Sequence, residues 1–244
     1  MEFPNTARGL KKIFAGEIIG LISVALLLMA SILMVPKAGE KEVNDDAVAV
    51  LIFFVSFIVG SFISTIVNGI GLFNLRKDDK YFKRAFMFFV ISLSINAFGF
   101  FVVPVFFIFV RFFISIIPTE MIEHARSITS DLITVLVSAA DAIIKIMVMQ
   151  GIMSIFKKLG DRESSKHGKK SIYALAILTF VHVLINFIVP FLGGKTNSIE
   201  ALLLSLPSLA LIIAEYVIYL SYIKRMITVL EPSEINKLES RLSE

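Results

Sequence analysis

Six apolar stretches run the length of this chain, at residues 13–35, 47–74, 85–110, 131–156, 172–192 and 199–223. Each reaches the roughly 20 apolar residues that a helix needs to cross the hydrocarbon core of a bilayer. The pattern predicts an all-α integral membrane bundle of six transmembrane helices. Residues 1–12 read as a short N-terminal segment, 13–223 as one transmembrane domain and 224–244 as a cytoplasmic tail. Ile235, Leu238 and Leu242 recur at helical spacing in that tail, which predicts a short amphipathic helix on the membrane surface or against a partner.

Two places break the regularity. Pro104 lies inside the third stretch, where it removes a backbone hydrogen bond and is expected to kink or end the helix. Arg111 then lies near the outer surface, and residues 112–117 are expected to rest in the interface. No breaker separates Pro118 from Gly151, so the fourth helix is expected to start near Thr119 and project outward before entering the membrane.

The basic residues orient the bundle. Eighteen Lys and Arg lie in one set of polar segments and five in the alternating set, with Lys145 inside a span. That bias predicts both termini in the cytoplasm. The densest segment, Lys157 to Lys170 (KKLGDRESSKHGKK), holds six basic residues against two acidic ones and reads as a loop. The second-to-third and fourth-to-fifth helix pairs share Gly-Ile (Gly69-Ile70, Gly151-Ile152) and an acidic residue in the turn (Asp78, Asp161). They read either as a repeated helix–basic loop–helix hairpin or as stop-transfer signals that resemble one another.

Composition agrees with the bilayer. The chain is 57% hydrophobic and 18% charged, against about 45–50% and 25% for a soluble domain. The net charge of +4 resides in the short segments between apolar runs, so nucleic acid is not the expected partner. Lipid is, with anionic headgroups expected at Lys157, Lys158, Lys169 and Lys170 if these do more than anchor the topology. A protein partner or a second copy of the chain also fits the helices and tail. The first apolar run, Ile13 to Val35, exceeds the 7–15 residues of a signal sequence and reads as a retained span in the plasma membrane.

Polar residues inside the spans carry the candidate chemistry. Asp131, Thr134, Ser138, Asp141 and Lys145 recur at intervals of 3, 4, 3 and 4, on one helical face expected to point into the bundle. Asp141 and Lys145 form an acid-first i,i+4 pair. Near the same depth lie Asn96 in the third span, His182 in the fifth (with Thr179 and Asn186 on its face) and Glu215 in the sixth. By a rise of about 1.5 Å per residue, Lys145 and Glu215 differ in depth by only about 4 Å. Asn96, Asp141, Lys145, His182 and Glu215 are therefore expected to form a midplane cluster. It would be either a site for a polar solute or protons, or a structural network gluing helices together. Glu17 is expected to snorkel or pair with Lys11 or Lys12. Ser61, Ser64, Asn68 and Gly71, with Gly60 beside them, form a small-residue face suited to close helix packing.

Enzymatic chemistry finds no support. The three histidines (His124, His167, His182) have no HExxH spacing, and neither GxSG nor a phosphate-binding Gly-Lys loop occurs. Cysteine is absent, which removes thiolate nucleophiles and Cys-ligated metals; no cofactor is implied. The expectations are a small transporter or permease subunit, or a non-transporting scaffold or accessory protein.

Overall fold

The computed structural model describes residues 3–33, 47–113, 118–192 and 198–242. They form six helical rods: α1 (Pro4–Leu33), α2 (Ala47–Leu75), a rod joining α3 (Lys80–Ala97) to α4 (Val103–Phe113), α5 (Thr119–Lys158), α6 (Arg162–Leu192) and α7 (Ser198–Leu242). The rods from α1 to α6 are long and apolar enough to cross a membrane. Among the described residues there is no strand.

Pro104 neither ends nor breaks the third rod. A π-helical turn, Phe98–Val102, precedes it, and α4 continues to Phe113. A proline inside an α-helix lacks an N–H and collides with the carbonyl four residues earlier; the wider i→i+5 turn absorbs that conflict. Phe112 and Phe113 end this helix, exposed, while 114–117 fall outside the described residues.

The basic stretch from Lys157 to Lys170 is not a loop. Helix α5 runs through Lys158, three residues turn, and α6 starts at Arg162. Gly160 takes φ 81°, its N–H bonds to the Lys157 carbonyl at 3.2 Å, and the Asp161 N–H bonds to the Phe156 carbonyl at 3.0 Å. Those two bonds are the Schellman ending of a helix, which needs a residue free to enter the left-handed region. Asp161 then starts α6 by accepting from the Ser164 N–H at 2.9 Å. The α2–α3 turn uses Asp79 in the same capping role, accepting from the Tyr81 N–H at 3.0 Å.

The tail backbone is helical to Leu242, and the side chains of residues 231–244, on which its amphipathic reading rests, lie outside the described set. It is no separate helix, because α7 is continuous from Ser198 to Leu242. Met226 and Leu230 remain buried in the core beyond the apolar stretch.

The rods pack in the circular order α1–α2–α3–α5–α6–α7, with α7 closing onto α1 and α5 also touching α7. The tightest seam is antiparallel α1–α2. There a Cβ on Gly71 would lie 2.9 Å from the Gly9 carbonyl, and Ser64 Oγ donates to the Gly16 carbonyl at 2.7 Å. Such close backbone approach is how small residues join helices in lipid, so the small-residue face of α2 has the packing role expected of it. The two hairpins are not packed alike, however. Gly69 on α2 lies against its own hairpin partner, at Phe89 of α3, whereas Gly151 on α5 lies against α3 as well, at Phe82, rather than against α6.

One apolar core holds the bundle, and it sits at the end where the basic turns lie. Leu10, Leu75, Phe82, Ile152, Phe156, Leu175, Tyr222 and Met226 belong to it. Toward the opposite end the helices expose apolar side chains in long runs, from Val48 to Ile63 and from Phe98 to Phe113. Hydrocarbon is the solvent that suits such surfaces.

Candidate functional site

Just above that core, α1, α2, α3, α5 and α7 line a half-open cavity of about 270 Å³. Glu17, Ser64, Thr65, Asn68, Ser92, Asn96, Asp141 and Tyr216 give it its polar lining, and Phe89, Ile144 and Tyr219 are among its apolar walls.

Lys145 is the deepest charge beside it, 4% exposed. Its Nζ bonds Asp141 Oδ2 at 2.7 Å and lies 4.6 Å from the centre of the Tyr216 ring. The i,i+4 spacing on α5 delivers this pair without help from other helices. Asp141 is half exposed and presents the rest of its carboxylate to the cavity.

Glu17 completes the site, and this overturns its reading as a snorkelling or Lys11/Lys12-paired residue. Because α1 begins at Pro4 rather than near Ile13, Glu17 lies more than three turns inside the helix and is buried, 8% exposed. Asn68 Nδ2 donates to its Oε1 at 3.1 Å, and the Tyr216 hydroxyl engages the same carboxylate. A signal existed in the sequence: Glu17 and Asn68 each fall on the glycine-rich seam, beside Gly16 and Gly71, where two backbones meet.

The five residues expected to cluster separate into two groups. Asp141 and Asn96 line the cavity, and Lys145 lies behind the lining, bonded to Asp141. Asn96 is exposed and spends its amide on its own helix, Nδ2 donating to the Ser92 carbonyl at 3.2 Å. His182 and Glu215 form a pair between α6 and α7, with His182 Nδ1 3.5 Å from Glu215 Oε1, and neither lines the cavity. Glu215 is buried, and among the described residues its Oε1, like Thr179 Oγ1, has no hydrogen-bond partner. The side chain of Asn186 lies outside the described set.

The polar face of α5 also divides. Only Lys145 is buried; Asp131 and Thr134 are exposed.

The hydrogen bonds leave the cavity one-sided. Ser64 Oγ–H is given to Gly16 O, Thr65 Oγ–H to Ser61 O at 2.9 Å, and the Asn68 and Asn96 amides to Glu17 and Ser92. The ammonium of Lys145 is taken by Asp141 and Tyr216. Each amide keeps a second N–H, and around these donors a guest would meet oxygen lone pairs, two carboxylates and aromatic faces. Among the described residues no cluster of His, Cys, Asp and Glu is arranged to hold a metal ion. Comparison with family models, with curated proteins and with solved structures found no match.

Proposed function

We propose that this chain is a six-span membrane protein of the plasma membrane, both termini cytoplasmic, that binds and moves a small cationic solute through the cavity beside Lys145. The observation that carries the reading is the charge of the site. Glu17 and Asp141 bring two carboxylates against the single ammonium of Lys145, so with all three ionised the cavity keeps an excess of one negative charge. An uncompensated charge in low dielectric is costly, and either a guest cation or a proton on one carboxylate would relieve it. Phe89, Tyr216 and Tyr219 add faces that attract cations. The volume, about 270 Å³, lies just under the 300–1,000 Å³ typical of drug-sized ligands and suits an ammonium compound of modest size or a partly hydrated inorganic cation.

Water in the cavity separates this from a structural network. The chain has no cysteine, so single thiols can be placed without a background. A charged, membrane-impermeant thiol reagent should label Asn96→Cys and Thr65→Cys in vesicles. It should fail at Ile91→Cys, an exposed apolar position outside the cavity. Labelling should slow when the solute is present. A cavity that excludes the reagent at both polar positions would sink transport and favour a scaffold that binds partners through its outer helix faces.

A further inference from the structure

A second hollow lies at the basic end, away from the cavity. It is a groove of about 410 Å³ between α5 and α6, lined by Gln150, Met153, Lys157, Ser165, Lys166, Lys169, Ile172 and Tyr173. Among the described residues, three ammonium groups line it and no carboxylate does. The short Schellman turn brings Lys157, the penultimate residue of α5, beside the first turns of α6, where Lys166 and Lys169 share a face at i,i+3. All three lysines are exposed.

The four lysines expected to meet anionic headgroups are not the ones that converge here. Lys158 turns to the other side of α5, where its Nζ bonds Asp79 Oδ2 at 3.0 Å. Lys170 is not among the lining residues, and Lys166 takes their place. The groove is amphipathic along its length. Lysines and Ser165 crowd the end near the turn, and Met153, Ile172 and the 60% exposed Tyr173 continue it toward the apolar parts of both helices. Free phosphate would use only the first half. A lipid uses both, its phosphate among the lysines and its acyl chain along the apolar side chains, which lie where the helices enter hydrocarbon.

We infer that Lys157, Lys166 and Lys169 form a binding site for the phosphate headgroup of an anionic membrane lipid seated between α5 and α6. Lysine serves phosphate as a point charge, and a basic cluster at the end of a membrane helix lies within the short range of lipid surface charge. The same two helices carry Lys145 and the His182–Glu215 pair's α6 half, so the lipid would brace the hairpin that supports both polar groups.

The test uses the full chain purified in a neutral detergent and titrated with phosphatidylglycerol, phosphatidylcholine or inorganic phosphate. Binding is read by native mass spectrometry and by the thermal midpoint. Phosphatidylglycerol should bind at least about tenfold more tightly than phosphatidylcholine and raise the midpoint. Replacing Lys157, Lys166 and Lys169 together by Gln should remove that preference. A charge-matched control, Lys77→Gln with Lys83→Gln and Arg84→Gln, alters exposed residues at the same end and should leave it intact. Equal loss in the control would mean diffuse surface charge and overturn the groove. Stabilisation by inorganic phosphate as strong as by lipid would overturn the lipid assignment, and an unchanged preference in the triple Lys variant would overturn the site.

Discussion

Asp78 and Asp79 are neighbours in sequence, yet their carboxylates hold different helices. Asp78 accepts from the Asn5 N–H at 3.1 Å, from Asn5 Nδ2 at 3.0 Å and from Thr6 Oγ1 at 2.6 Å, which ties the α2–α3 turn to the start of α1. Asp79 accepts from Ser154 Oγ at 2.9 Å and Lys158 Nζ at 3.0 Å, which ties it to the end of α5. One turn therefore clamps two helices that do not pack on each other. Asp79→Ala should destabilise the protein by about 2–3 kcal/mol, since a lost N-cap costs about 0.5–2 kcal/mol and its charge-assisted bonds go with it. Asp78→Ala should cost about 1–2 kcal/mol. Reversible unfolding in mixed micelles measures both.

Acid should loosen the same clamp. Burial opposes ionisation of Asp79, but the Tyr81 N–H, Lys158 and Ser154 outweigh it and hold its carboxyl below the ordinary value. A carboxyl with a depressed folded pKa contributes stability above its unfolded value, about 3.9, and loses that contribution as pH falls through the folded value. The thermal midpoint should therefore drop below about pH 4, and Asp79→Asn, already weaker at neutral pH, should show a shallower fall. Melting curves between pH 7 and 3 decide it; parallel curves would rule Asp79 out as the source.

Glycines along α1 and α2 should differ sharply in what they tolerate. A Cβ on Gly71 meets the Gly9 carbonyl and the Ile13 backbone, which cannot yield without parting the helices. At Gly60 the Cβ meets only the Ser23 side chain, which can rotate. Gly71→Ala should cost about 1–3 kcal/mol as overpacking, and Gly60→Ala well under about 1 kcal/mol. Thermal midpoints of the two variants side by side supply the check.

Breaking the Lys145–Asp141 pair should be asymmetric. Asp141→Asn removes the carboxylate that Lys145 Nζ bonds and leaves it only the more distant charge of Glu17, which should cost about 2–4 kcal/mol. Lys145→Met leaves Asp141 half exposed to water and Glu17 still bonded by Asn68, and should cost under about 2 kcal/mol. The reverse order in equilibrium unfolding would mean that Asp141 is shielded and the cavity dry.

Helix identity was legible because it rests on counting: runs of 20 apolar residues have one stable form in a bilayer. Helix ends were not. The apolar run begins at Ile13, but α1 starts at Pro4, and Lys157 to Lys170 looked like a loop because its polarity hid helical backbone closed by Gly160. These are decisions of capping and turn chemistry, which hydropathy does not see. At the site, Asp141 and Lys145 were readable from i,i+4 spacing on one helix. Glu17 was not, since its partners Asn68 and Tyr216 stand on other helices, and depth alone could not separate His182 and Glu215 from the cavity. Sequence gives a residue's height in the membrane more readily than its bearing around the bundle.

The apolar core lies at one end of the bundle, and a long helix held there has the geometry of a lever arm. Helix α5 has 40 residues, so its far tip stands about 55 Å from the fulcrum near Phe156. A rocking of about 5° there would sweep the tip by about 5 Å and shift Asp141, about 22 Å up the arm, by about 2 Å. That is close to the width of an ion. Small rotations at the packed end thus suffice to widen or pinch the cavity while the clamp and the core stay closed.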